Sequence, residues 1–243
     1  MVPDSRWQPL DLGDVKPIPI GQRRNIVHRD QFRELCDPQG TIEQLIDSLP
    51  DILAGGELRA AAAAVARSVA GGAPVIAALG GHVVKVGMGP LIIDLMEKGV
   101  ISAIAMNGAT AIHDLELALI GQTSEDVESN VADGTFGMAS ETADAFRQAS
   151  LAGADEVGLG AALGDWIESQ SAPHAELSML LRARQLRIPA TVHVAIGTDI
   201  VHMHPGVAGA NMGAATAIAF RLLAAVVSDL ENGCWLNIGS AVA

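Results

Sequence analysis

Tyrosine is absent from this 243-residue chain, and only four Phe and three Trp are present. So few rings do not suggest stacking of nucleic-acid bases, and Ala, Val, Ile and Leu must fill the core. Trp7, Trp166 and Trp235 are read as core or interface residues. Cations are also scarce. Fifteen Lys and Arg stand against 28 Asp and Glu, a formal charge of -13. That balance excludes phosphate-neutralising contacts with nucleic acid and attraction to an anionic membrane surface. Two cysteines, Cys36 and Cys234, cannot build a disulfide framework, which favours a reducing compartment. No run reaches the roughly 18 uninterrupted apolar residues of a membrane span. Met1–Asp14 has charges and prolines without an apolar centre, so no signal peptide is expected. A cytoplasmic protein follows as the default.

What is present is a strand–helix grammar. Residues 1–40 are polar and proline-bearing and read as an N-terminal arm. Thr41 with Gln44 forms a capping box for a helix. Residues 41–243 read as a single α/β domain. Strands are predicted at 74–79, 100–106, 190–196 and 234–238. Helices are predicted at 41–53, 57–69, 91–98, 109–120, 141–152, 156–169, 174–187 and 209–230. The alternation predicts a mostly parallel, Rossmann-like sheet with helices on both faces. The polar stretch 122–137 is longer than most α/β connections and reads as an ordered functional loop or lid. The last strand runs into Gly239-Ser240 and the chain stops shortly after. The expectation is a longer natural chain, truncated here, or an edge completed by a partner.

Three clusters carry chemistry. The first is Gly80-Gly81-His82-Val83-Val84-Lys85-Val86-Gly87-Met88-Gly89-Pro90. Gly87 and Gly89 match two glycines of the dinucleotide fingerprint, but the third is missing, as is the acid after the next strand. Tight-turn geometry alone explains the same glycines. His82 and Lys85 are candidate substrate contacts, Lys85 for a phosphate or carboxylate. The second cluster is Asn107-Gly108-Ala109-Thr110, then His113, Asp114 and Glu116. Small residues after a strand admit a ligand to the backbone, while Asn107 or Thr110 equally serves as a helix cap. His113 shares a face with Glu116 and is the candidate for proton transfer. Asp114 is a candidate substrate contact or a structural group favoured by the helix dipole. The third cluster holds His193, Asp199, His202 and His204 at the carboxyl end of a strand, where parallel sheets bind ligands. It supports an acid–base set, a zinc site or hydrogen bonds that shape the loop.

The order of these elements resembles the deoxyhypusine synthase family from about Gly80 onward. The Gly-rich loop His82–Pro90 resembles the family's loop before a helix. Asn107–Leu115 resembles the family's Thr-Ala-Gly-Gly-Val-Glu-Glu-Asp-Leu. Gly197-Thr198-Asp199-Ile200 resembles its Thr-Asp-Gly-Ser, and Asn237-Ile238-Gly239-Ser240 its closing glycine run. The resemblance implies an NAD-binding enzyme, a homotetramer with sites between subunits. Gly87, Met88, Gly89 and Asn107, Gly108, Ala109 would touch NAD. His113 would take the place of the second family glutamate, which holds the polyamine, and Asp199 that of the family aspartate. The family's acidic pair reads Ile112-His113 here, and its reactive lysine would fall at about Val242-Ala243, where there is none. The expectation is therefore a divergent member acting on an amine or hydroxyl small molecule, with His113, Asp199 and His202 as the acid–base set and His204 at the substrate. The alternatives are a metal-dependent hydrolase using His193, His202, His204 and Asp199, and a non-catalytic ligand-binding protein.

Overall fold

A computed structural model describes residues 9–33 and 35–239. Trp7, Ser240 and Val242-Ala243, the place of the missing lysine, lie outside the described residues. The chain divides into two compact units, residues 1–61 and 62–243.

In the first unit, helix α1 spans Ile42–Ser48. Its start is the reciprocal cap that the sequence predicts. Thr41 Oγ1 accepts from the Gln44 backbone N–H at 3.2 Å, and Gln44 Oε1 accepts from the Thr41 N–H at 2.7 Å. Helix α2, Leu53–Ala70, begins in this unit. Asp51 receives the guanidinium groups of Arg33 and Arg59. The hydrogen bond from Arg59 holds its carboxyl below the usual aspartate range, with the charges of both arginines acting the same way.

The second unit carries four parallel strands: β1 (Val75–Leu79), β2 (Ala103–Asn107), β3 (Ala190–His193) and β4 (Cys234–Ile238). Their order across the sheet is β3-β2-β1-β4. Helices α3 (Gly81–Lys85) and α4 (Gly89–Glu97) join β1 to β2. Helices α5 (Gly108–Ile120), α6 (Val127–Asp133), α7 (Ser140–Ala152), α8 (Leu159–Ser169) and α9 (Met179–Leu186) join β2 to β3. Helix α10, Gly209–Ser228, returns the chain to β4. This is a Rossmann-like α/β fold.

Alternation along the strands separates the two faces. Ala77, Leu79, Ile104, Met106 and Val192 join Ile92, Ile93, Leu115, Leu163 and Leu180 in one core. Each large aliphatic side chain fully buried there contributes roughly 1.5–3 kcal/mol. The other face carries Ile76, Ala78, Ala105, Thr191 and His193. Helix α10 is fastened at its β3 end, where Thr216 Oγ1 accepts from Val194 N–H at 2.9 Å and donates to Val192 O at 3.2 Å. By length and composition alone α10 could cross a membrane, with a mean hydropathy of 1.6. Asn211 and Arg221 interrupt it, and its buried residues Met212, Ala215 and Ala219 form one stripe along the helix.

Four local differences from the sequence prediction have physical causes. Val100 and Ile101 do not begin β2, because both donate their N–H to Leu95 O and close α4 instead. Strand β3 stops at His193, because Ala195 N–H is taken by the Asp199 carboxylate while Ala195 O accepts from Thr198 and Asp199. The first Gly-rich loop contains the short helix α3, which buries Val83 and Val84 against the core. The polar stretch 122–137 is ordered around α6, which Asp126 caps and left-handed Gly134 ends.

Candidate functional site

In chain order the strands run outward from β1 to β2 to β3, and the chain then returns to β4 on the other side of β1. The topological switch point therefore lies between β1 and β4. Ligand crevices of open α/β sheets form outside the carboxyl ends at such a point. A cavity of about 300 Å³ opens over the sheet face that carries Ala78, Ala105, His193, Trp235 and Asn237, beside Leu223 of α10, and reaches this switch point at Leu79, Gly80 and Gly239. On the other side of the Asn107–Ala109 turn lies a second cavity, of about 270 Å³. Its walls include Lys85, Ala109, His113, Glu116, Glu125 and Asp199.

Helix α5 organises both cavities. Asn107 ends β2 and caps α5, with its Oδ1 accepting from Thr110 N–H at 2.8 Å. Thr110 Oγ1 lies 2.9 Å from Leu79 O and ties α5 to the tip of β1. The β3 loop reaches the same place. A Cβ on Gly108 would stand 2.7 Å from the Asp199 Cγ and from each of its carboxylate oxygens. Only glycine lets this carboxylate sit at the first turn of α5, where the helix dipole favours negative charge. Asp199 Oδ2 also accepts from Ala195 N–H at 2.7 Å.

His113 lies one turn further along α5. Its Nδ1 is 2.7 Å from Thr123 Oγ1. Thr123 donates onward to Glu116 Oε2 at 2.5 Å, and Thr142 donates to Glu116 Oε1 at 3.3 Å. Burial raises the Glu116 carboxyl, but interaction with His113 and hydrogen bonds from Thr123 and Thr142 outweigh it. The net effect holds Glu116 below the usual glutamate range. On the ring's far edge a Cβ at Gly81 would lie 3.2 Å from His113 Cδ2 and 3.7 Å from Nε2. The first turn of α3 therefore packs closely on that edge of the ring, and only a glycine fits there without crowding it. Among the described residues no side chain or backbone group bonds His113 Nε2.

The other sequence candidates go elsewhere. Asp114 is not a substrate contact. It is fully buried, with Oδ1 accepting from Met179 N–H at 2.8 Å and Oδ2 accepting from Ser178 Oγ at 2.7 Å and Leu180 N–H at 3.2 Å. Both oxygens are spent on the first turn of α9. Burial pushes its carboxyl up to about 6, against the lowering effect of those hydrogen bonds. The zinc arrangement is not formed. Among the described residues no three His, Cys, Asp or Glu groups stand where they could share a metal ion. His193 faces the switch-point cavity, with Nε2 2.9 Å from Thr191 Oγ1, and burial lowers its pKa. His204 Nε2 donates to Gly137 O at 2.9 Å. Among the described residues, nothing bonds the buried His202 Nε2. Of the expected acid–base set, His113 and Asp199 line the second cavity and His202 does not, nor does His204. Lys85 lines that cavity, whereas His82 is exposed on α3 and lines neither. Gly87, Met88 and Gly89 stand at the α3–α4 junction, one short helix beyond the β1 tip. The glycines at the switch point are Gly80 and Gly239. The sequence reading does not single out Thr123 or Thr142. Thr123 stands ten residues from its histidine, and Thr142 lies on another helix, so no local spacing marks them.

No protein-family model matches the chain, and no curated protein matches it. Among solved structures it is similar to a conserved LOR/SDH protein from Methanococcus maripaludis S2, at 16% sequence identity and a TM-score of 0.42. That match covers 93% of this chain and 72% of the other. A likeness this distant says nothing of chemistry.

Proposed function

We propose that this chain is a deoxyhypusine-synthase-like, NAD-binding enzyme that takes a proton from the amine or hydroxyl of a small substrate. One observation carries the reading. His113 and Asp199 line one cavity at the carboxyl ends of the strands, and the switch-point cavity adjoins it across Asn107–Ala109. The donor set of the switch-point cavity suits a dinucleotide's uncharged parts. Asn107 and Asn237 offer amides, Trp235 an aromatic surface, and Ala78, Gly80 and Gly239 leave room beside the backbone. Asn107 and Asn237 would hold NAD, which supplies a hydride acceptor when bound.

The chain's own residues do the rest. His113 Nε2 accepts the substrate's proton, since His changes charge near neutral pH. Asp199 orients a hydroxyl or ammonium group beside the imidazole. Lys85 balances the carboxylates around the cavity. The reading carries with it a homo-oligomer, a tetramer by the family, located in the cytoplasm. Exposed Phe220 and Val227 on α10 give it apolar surface for subunit contact.

Calorimetric titration with NAD tests the proposal, followed by a panel of amines and alcohols in which NADH absorbance reports turnover. Saturable NAD binding with turnover of at least one class is expected. Absence of heat up to millimolar NAD would remove the cofactor and the reading with it.

A further inference from the structure

The relay behind His113 has a fixed direction. A carboxylate only accepts hydrogen bonds, and a threonine hydroxyl has one proton to give. Thr123 gives that proton to Glu116 Oε2 at 2.5 Å. The oxygen then faces His113 Nδ1, at 2.7 Å, with a lone pair. Nδ1 must be the donor in that bond. Thr142 completes the anchoring by donating to the other oxygen of Glu116. Thr123 reaches the ring because Gly121, at φ 68°, ends α5 in the left-handed conformation and turns the chain back over the helix. The His113 and Glu116 side chains are only 16% and 22% exposed, so water competes weakly for these bonds.

We propose that Thr123 and Glu116 are positioning residues that hold the neutral His113 ring in its Nδ1–H tautomer, leaving the Nε2 lone pair toward the cavity. A neutral histidine free in water prefers the opposite tautomer, with the proton on Nε2, which could not accept one there. The relay therefore reverses the intrinsic preference of the ring. Its consequence for proton transfer rests on the function proposed above, but the tautomer itself does not.

The test is nitrogen-15 NMR of the imidazoles in the full chain at alkaline pH, where the ring is neutral, with His113→Gln used only to assign the signal. The expected spectrum has Nδ1 at the shift of a protonated ring nitrogen and Nε2 at that of an unprotonated one. The reverse pattern in the unaltered protein overturns the proposal, whether or not any variant folds. Thr123→Val should move the ring toward the Nε2–H tautomer, and Thr123→Ser should restore it. Glu116→Gln should act like Thr123→Val, because the new amide can donate to Thr123 and free its hydroxyl proton for Nδ1. A ring unmoved in folded Thr123→Val or Glu116→Gln removes the relay. Failure of NAD to bind would remove the enzymatic reading and leave these spectra unchanged, so the two failures are separable.

Discussion

His113 on α5 and the pair His202 and His204 on the β3 loop look alike in sequence, each lying close to a carboxylate. In the folded chain they differ in where their ring nitrogens are spent. His113 commits Nδ1 to Thr123, lines a cavity, and has no partner for Nε2 among the described residues. His204 commits Nε2 to the Gly137 carbonyl, and the Nε2 of His202 is enclosed with no partner among the described residues. Asp114 and Asp199 repeat the contrast. One has both oxygens bound to the start of α9, whereas the other lines the cavity. Proximity in sequence does not make a functional group. A nitrogen or oxygen left unspent next to space does.

This contrast predicts which substitutions damage turnover and which damage stability. The largest effect should come from His113→Gln, which removes the proposed base and should lower turnover by about 10²–10⁴-fold. Loss of its bond to Thr123 should lower stability by only about 1 kcal/mol, far too little to account for that fall in turnover. His202→Gln should leave turnover within a few-fold, and an equal loss there would erase the distinction between the two regions.

Asp114→Ala should do the reverse and cost stability. It orphans the buried Met179 and Leu180 amides and the Ser178 hydroxyl, at about 1–3 kcal/mol for each unsatisfied group before the site relaxes. Urea unfolding measures this. The pH dependence has a definite sign. The folded-state carboxyl of Asp114 sits near 6, above its unfolded value of 3.8. Its contribution to stability is therefore fully present below about 3.8 and is lost as pH rises through about 6. The stability of the unaltered protein relative to Asp114→Asn should accordingly grow between pH 7 and pH 4. A flat difference would mean that the carboxyl is not buried as described.

The smallest effect belongs to His204→Phe. Loss of one hydrogen bond to the Gly137 carbonyl should cost about 1 kcal/mol. Faster amide exchange should follow in residues 122–137 alone. Exchange spread through α5 would show that the segment and the His113 helix are not separable.

Much of the scaffold was legible because its signals are local. Thr41 with Gln44, the apolar runs predicted at 74–79 and 234–238, and Gly121 each act within a few residues, and each appears within one residue of where the pattern predicts. The relation of His113 to Glu116 was also visible, since three residues along a helix bring two side chains to one face. The segment 194–196 continues an apolar run but is not strand, because Asp199 captures the Ala195 amide, and a strand pattern carries no warning of that.

The sequence by itself determined the alternation of strands and helices, the aliphatic character of the core and the positions where small residues follow a strand. These depend on periodicity and on side-chain size, which a linear chain displays. Only the tertiary structure decided that the switch point falls between β1 and β4 and that Asp199 rests against Gly108. It also decided that Thr123 closes on His113 and that Asp114 belongs to α9. The side-chain pairings join residues from 10 to 91 positions apart, and β1 pairs with β4 across 159. Backbone reversal and packing of separate elements create them, so no spacing rule along the chain could reveal which polar atoms would be spent and which left free.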